Sequence, residues 1–198
     1  MVARGERRGV EGYASFLLSK ASGALDFAYA VDCRHLVASS LEGYASLLSY
    51  MRTFRGLGEQ LRFAGPPAHP LGLLVEEQDV RPVWTYRWML RLLDVPGALE
   101  GRGYPPVSGE VVFAVEDALF PENRGPWRVV ASEGDVRVER ATGARTRMRP
   151  IPIGTLSSIY SGYLSAFDAV ALGTVEEDVA PGIARLFGGP APWMHDFF

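Results

Sequence analysis

The run Gly65-Pro-Pro-Ala-His-Pro70 sets three prolines within five positions and divides the chain. Proline lacks a backbone N–H and fixes φ, so neither a helix interior nor a central strand passes through such a stretch. The pattern differs on its two sides. Upstream, Val10–Leu18 and Ala24–Val37 are rich in β-preferring residues around the turn at 21–23. Ser40 is placed as a helix N-cap, and Leu41, Tyr44, Leu47, Leu48 and Met51 recur at helical spacing until Gly56 and Gly58. Glu59–Ala64 reads as a further strand, which gives an α/β arrangement with the helix on one sheet face. Downstream, a short apolar helix is expected over Leu71–Val75, with the boundary between Pro66 and Pro82. Trp84–Leu93 reads as a long strand, or as a strand running into helix. Asp94 then caps a helix, with Pro96 near its first position. Strands are expected at Gly109–Val115, Trp127–Ala131, Asp135–Glu139 and Arg145–Ile153. Two helices are expected within Ile153–Val175 and one over Val179–Phe187. The fold class is therefore α+β, with domains at 1–78 and 79–198 and a mostly antiparallel sheet in the second.

Composition narrows the functional classes. Of 198 residues 47% are apolar and 11% aromatic, which is enough to offset chain entropy and excludes intrinsic disorder. A net charge of −3 gives no general attraction to nucleic acid or an anionic membrane. Cys33 is the single cysteine, so an internal disulfide and a Cys-rich zinc site are excluded, which suits a cytoplasmic location. The stretch Ile153–Val175 carries one charge, Asp168, but also many Ser, Thr and Gly residues, and reads as buried helix rather than a membrane span. Behind Met1 there is no apolar run of signal-peptide type.

Few residues are arranged for chemistry. Cys33 and His35 would share one face of a strand, but no acid on that face orients the imidazole, so a structural role is expected. His69 has no ligand-spaced companion, and no metal is expected. Gly56-Leu-Gly58 and Gly101-Arg-Gly103 lack the rest of a phosphate loop and read as helix C-caps. Arg4-Gly-Glu-Arg-Arg-Gly9 echoes a pyrophosphate-binding turn, although only three residues precede it. Arg145, Arg147 and Arg149 alternate, with Arg137 and Arg140 upstream, in the manner of a charged solvated face. The C-terminus, Ala191-Pro-Trp-Met-His-Asp-Phe-Phe198, is apolar where chain ends are ordinarily polar.

Several of these segments together resemble the enhanced intracellular survival family of acetyl-CoA-dependent N-acetyltransferases. They are Leu92-Leu-Asp-Val-Pro-Gly-Ala-Leu-Glu-Gly-Arg-Gly-Tyr104, Val115-Glu-Asp117, Pro121-Glu-Asn-Arg-Gly-Pro-Trp127, Ala191-Pro-Trp193 and Asp196-Phe-Phe198. Gly12-Tyr13, Leu41 with Tyr44, and Pro66-Pro67 with Pro70-Leu71 fit as well. The resemblance implies that 1–78 is part of a second GNAT-like domain and 79–198 a domain like sterol carrier protein 2. A catalytic GNAT domain has no counterpart here, so the acetyl-CoA site is expected outside this chain. The terminal carboxylate of Phe198 is expected to act as base toward a primary amine, flanked by Asp196 and Phe197. A homo-oligomer or a partner catalytic domain is expected too. The alternatives are an apolar-ligand binding module built like sterol carrier proteins, or a scaffold half for a separately encoded catalytic domain.

Overall fold

Four strands and one α-helix build the first unit of the computed structural model, which describes residues 1–5, 9–20, 27–66, 69–143, 148–189 and 192–194. Strands β1 (Val2–Arg4), β2 (Val10–Lys20), β3 (Tyr29–Ala38) and β4 (Gly58–Phe63) form a sheet in that order. The first two pairings are antiparallel and β3 with β4 is parallel. A parallel pair needs a crossover, and α1 (Leu41–Met51) supplies it. Its Leu47 and Met51 bury against Ala14, Val31, Cys33 and Leu36 on one face of the sheet. Ser40 caps α1 as its sequence position predicts, its Oγ accepting from the Gly43 amide at 3.0 Å. Gly56 and Gly58 are not its C-cap. The helix ends at Met51 and tightens into a 3-10 turn over Arg52–Phe54. Gly58 opens β4 instead, where a side chain would meet the Phe54 carbonyl at 2.7 Å.

The second unit runs from Tyr86 to Pro192, while Met1–Thr85 and the segment from Trp193 make up the first. Asp94 caps α2 (Val95–Gly101) through the Gly97 amide, and Pro96 lies in the first turn. Strands β5 (Gly109–Glu116), β6 (Gly125–Ser132), β7 (Asp135–Arg140) and β8 (Ile151–Pro152) form a sheet in the order β7-β6-β5-β8. It is antiparallel except for β5 with β8. Glu133 and Gly134 both take positive φ, the primed turn that matches strand twist in a tight hairpin. Helices α3 (Ile153–Ser161), α4 (Ala166–Ala171) and α5 (Ala180–Phe187) follow. Period-two alternation sends Val111, Phe113, Val115, Trp127, Val129 and Ala131 inward, against Leu99, Leu156, Ile159, Ile183 and Leu186. The fold is thus α+β, as the pattern of elements predicts.

Two expected strands differ. The Trp84–Leu93 stretch joins neither sheet, and Met89 is 99% exposed. β-preferring side chains make a strand only where an edge is available to pair with. Of the described part of Arg145–Ile153, only Ile151–Pro152 pairs, with Val115 and Glu116. Pro150 and Pro152 cannot donate to a ladder, which keeps the pairing short.

Candidate functional site

The three residues expected to act on substrate, Phe198, Asp196 and Phe197, lie outside the described residues. Trp193, which precedes them, is 42% exposed and groups with the first unit.

Within the first unit, the turn from β3 into α1 is where an α/β fold ordinarily receives a phosphate, because the first amides of a helix point outward there. Here the chain itself fills that position. The Gly43 amide is taken by Ser40 Oγ, and that hydroxyl donates to Glu11 Oε2 at 2.9 Å. The Ser39 amide donates to the Glu11 carbonyl at 2.8 Å. Glu42 adds a second negative charge in the first turn. A pyrophosphate would meet two carboxylates and engaged amides, so the residues at this turn do not fit one. The Arg4–Gly9 echo fares no better: it connects two antiparallel strands, with no helix N-terminus behind it. Its residues 6–8 lie outside the described residues.

Cys33 and His35 do not form a pair. A bulge shifts the β2–β3 register so that Ser15 opposes His35 while Phe16 opposes Cys33. The extra residue turns the strand over. Cys33 is therefore buried and His35 exposed, the latter beside the Tyr13 ring at 6.2 Å. Burial, reinforced by the charge of Asp32, pushes the Cys33 thiol up to about 11, the opposite of an activated nucleophile.

His69 has a structural duty. Its Nδ1 accepts from the Leu71 amide at 3.1 Å and caps the 3-10 turn Pro70–Leu73, while its ring packs on Phe63 and Tyr44. Burial lowers its pKa below 6.5, in keeping with a neutral acceptor. A group whose folded pKa is depressed supplies stability above its unfolded value and loses it as pH falls through the folded value. The first unit should therefore weaken as pH drops below 6.5. A His69→Asn variant, which keeps a short cap acceptor that does not titrate, should lose that slope in urea titrations between pH 7.5 and 5.

Of the arginine series, Arg145 and Arg147 lie outside the described residues. Arg149 donates to the Gly173 carbonyl at 2.7 Å. Arg140 stacks on Trp127, 3.9 Å from the ring centre, and donates to the Glu122 carbonyl. These two bind the chain to itself.

Sequence reasoning missed the buried polar knot of the second unit. Asp117, Asn123 and Ser157 are each at most 1% exposed. Asp117 Oδ1 accepts from Arg91 at 2.5 Å and from the amides of Leu119 and Phe120. Its Oδ2 accepts from Asn123 Nδ2 at 3.0 Å. Asn123 also bonds the Leu93 carbonyl and the Val95 amide, and its own carbonyl accepts from Trp127 Nε1 at 2.8 Å. Ser157 Oγ accepts from the Leu92 amide and donates to the Ile153 carbonyl. Arg102 lies 5.1, 5.7 and 5.2 Å from the centres of Tyr104, Tyr160 and Phe187. Three of the segments that carry the resemblance, those around Leu92–Val95, Asp117 and Asn123–Trp127, are thus fold determinants that meet inside the second unit.

The interior between this sheet and its helices is occupied by side chains, Phe113, Leu156, Ile159 and Ile183 being at most 1% exposed. Among the described residues no group of three His, Cys, Asp or Glu is placed to hold a metal. No helix among them is long and apolar enough to cross a membrane.

Comparison with known proteins follows the two units. Residues 1–92 match the acetyltransferase (GNAT) domain, and residues 95–195 match the sterol carrier protein domain. An uncharacterized N-acetyltransferase of Streptomyces avermitilis is 38% identical over 118 residues, 54% of this chain and 27% of that protein. Another from Streptomyces griseus is 31% identical over 131 residues, 64% of this chain and 30% of that protein. The solved GCN5-related N-acetyltransferase from Anabaena variabilis superposes with a TM-score of 0.83 at 25% identity, covering 96% of this chain and 48% of that one. Eis1 from Mycobacterium abscessus has the same fold, with a TM-score of 0.69 at 24% identity over 94% of this chain and 48% of that one. The chain thus matches less than a third of these curated relatives' length and spans about half that of the solved ones. With a GNAT acetyltransferase domain ahead of it, the second unit places the chain in the sterol carrier protein domain family.

Proposed function

We propose that this chain is the C-terminal part of an acetyl-CoA-dependent N-acetyltransferase of the enhanced intracellular survival type, acting on a primary amine. The observation that carries this reading is the match to a GCN5-related N-acetyltransferase along 96% of this chain but 48% of that one. The acetyl-CoA site belongs to a catalytic domain outside residues 1–198. The filled turn between β3 and α1 supports that division of labour, because Glu11 and Ser40 stand where a pyrophosphate would lie. Transfer of the acetyl group to an amine requires the nitrogen to lose a proton as its new C–N bond forms and the thioester C–S bond breaks. The carboxylate of Phe198 takes that proton, with Asp196 and Phe197 beside the substrate. The packed interior of the second unit favours a scaffolding role there over the carriage of an apolar ligand.

The test compares the chain alone with the chain joined to a GNAT domain. Calorimetric titration of the isolated chain with acetyl-CoA is expected to show no micromolar binding, and acetyl transfer to primary amines is expected only from the joined protein. Acetyl transfer by the isolated chain overturns the division.

A further inference from the structure

The chain that leaves β4 is fastened back on the first unit at His69 and Leu71. His69 caps the 3-10 turn Pro70–Leu73, its Nδ1 accepting from the Leu71 amide at 3.1 Å. Its ring packs on Phe63 of β4, at 4.9 Å between centres, and on Tyr44 of α1, at 5.3 Å. It also fills the space over Gly65, where a β-carbon would run into His69 Cδ2. Leu71 is 2% exposed within the core of this unit, whereas Leu73 is 80% exposed. The turn itself has only one buried residue.

An Nδ1 that accepts from an amide carries no hydrogen, so the neutral ring holds its proton on Nε2. A proton added at Nδ1 sets two donors against each other and cancels the cap. Three groups face the ring: Tyr44, which is titratable, from α1, the Phe63 ring from β4, and the Leu71 amide from the turn. Arg62, beside Phe63, alternates to the other face of β4 and pairs with Asp32 at 3.5 Å. The two rings give an imidazolium some compensation, but the clash at the cap remains. Burial alone moves the His69 pKa, and it moves it down.

We propose that His69 is a proton-operated latch: protonation at Nδ1 releases the turn Pro70–Leu73, with Leu71, from the first unit while β1–β4 and α1 stay folded. Release removes one turn and leaves every strand pairing of the sheet in place. The stretch that follows, residues 80–92, joins neither sheet, so an open latch extends the length of chain held by no ladder. This inference stands apart from the catalytic reading, since it needs only the chain itself.

Hydrogen exchange of the whole chain tests it, read as protection factors so that the intrinsic pH dependence of exchange cancels. The Leu71 amide is compared with the Leu47 amide inside α1. Between pH 7.5 and 5, Leu71 protection is expected to fall about fivefold or more, the scale on which one lost hydrogen bond acts. Low urea should barely change Leu71 exchange, because releasing one turn exposes little surface. Leu47 exchange should respond to urea as unfolding of the unit does. His69→Asn keeps an acceptor that does not titrate, so its Leu71 protection should be flat across the range. Gly65→Ala pushes the ring aside and should lower Leu71 protection already at pH 7.5. Flat wild-type protection at Leu71 overturns the proposal, as does a urea response equal to that of Leu47. So does an Asn variant that keeps the wild-type pH dependence, or an alanine variant as protected as the wild type.

Discussion

Replacing Asp117 by alanine is expected to destabilise the second unit by about 3–5 kcal/mol, because it takes the shared acceptor out of a buried hydrogen-bond network and leaves its donors unpaired. Asp117 is fully buried and accepts from Arg91, Asn123 and two backbone amides. Its loss would leave the Leu119 and Phe120 amides and one Asn123 hydrogen facing an empty space. Asn123 in turn holds Leu93 and Val95, so the start of α2 would loosen with it. Asp117→Asn keeps the shape but sets an amide against Asn123 Nδ2, and should cost less, about 1–3 kcal/mol. Urea unfolding followed by near-ultraviolet circular dichroism, which senses the packed Trp127, measures both. A loss below 1 kcal/mol for the alanine variant would show the knot to be incidental.

The same carboxylate predicts an acid sensitivity. Burial by itself would raise its pKa, but the hydrogen bonds from Asn123, Leu119 and Phe120, with the nearby charge of Arg91, outweigh burial and hold it below 3.8. Its contribution is therefore complete above 3.8 and is lost as pH falls through the folded value. The wild type should lose stability steeply in that range, and the Asp117→Asn variant should not.

How much of this was legible beforehand depends on whether the signal was local. The Ser40 and Asp94 caps and the strands expected at Gly109–Val115, Trp127–Ala131 and Asp135–Glu139 rest on short-range patterns, and each appears where the sequence places it. The bulge that separates Cys33 from His35 is a property of how β2 and β3 pair, so spacing along β3 alone put both on one face. Trp84–Leu93 has every local mark of a strand, but pairing is a property of the partner edge, which no composition reveals. The Asp117 knot was visible only as motifs without roles. Arg91, Asp117 and Asn123 come from three separate segments, and their chemistry exists only once the fold joins them. The terminal residues were legible through resemblance alone, and the described residues stop at Met194.

Adding a few residues after Phe198 in the protein joined to its catalytic domain is expected to lower kcat by roughly 10²–10⁴, the usual contribution of a general base. An α-carboxyl titrates near about 3.5 in water and is a poor base at neutral pH. Docking among Trp193, Phe197 and Phe198 would remove water from it, favour the neutral form and raise its pKa toward the working range. Extension converts the carboxylate into a peptide carbonyl and displaces the charge, while the folded units are left as they are. The loss should therefore fall on kcat more than on KM for acetyl-CoA, and the acidic limb of the pH–rate profile should disappear. Deleting Phe198 should be milder, because a carboxylate remains one residue short of its place and a bridging water can carry the proton. If the extended protein keeps full turnover and an unchanged pH profile, the aromatic end serves packing alone and the base lies elsewhere.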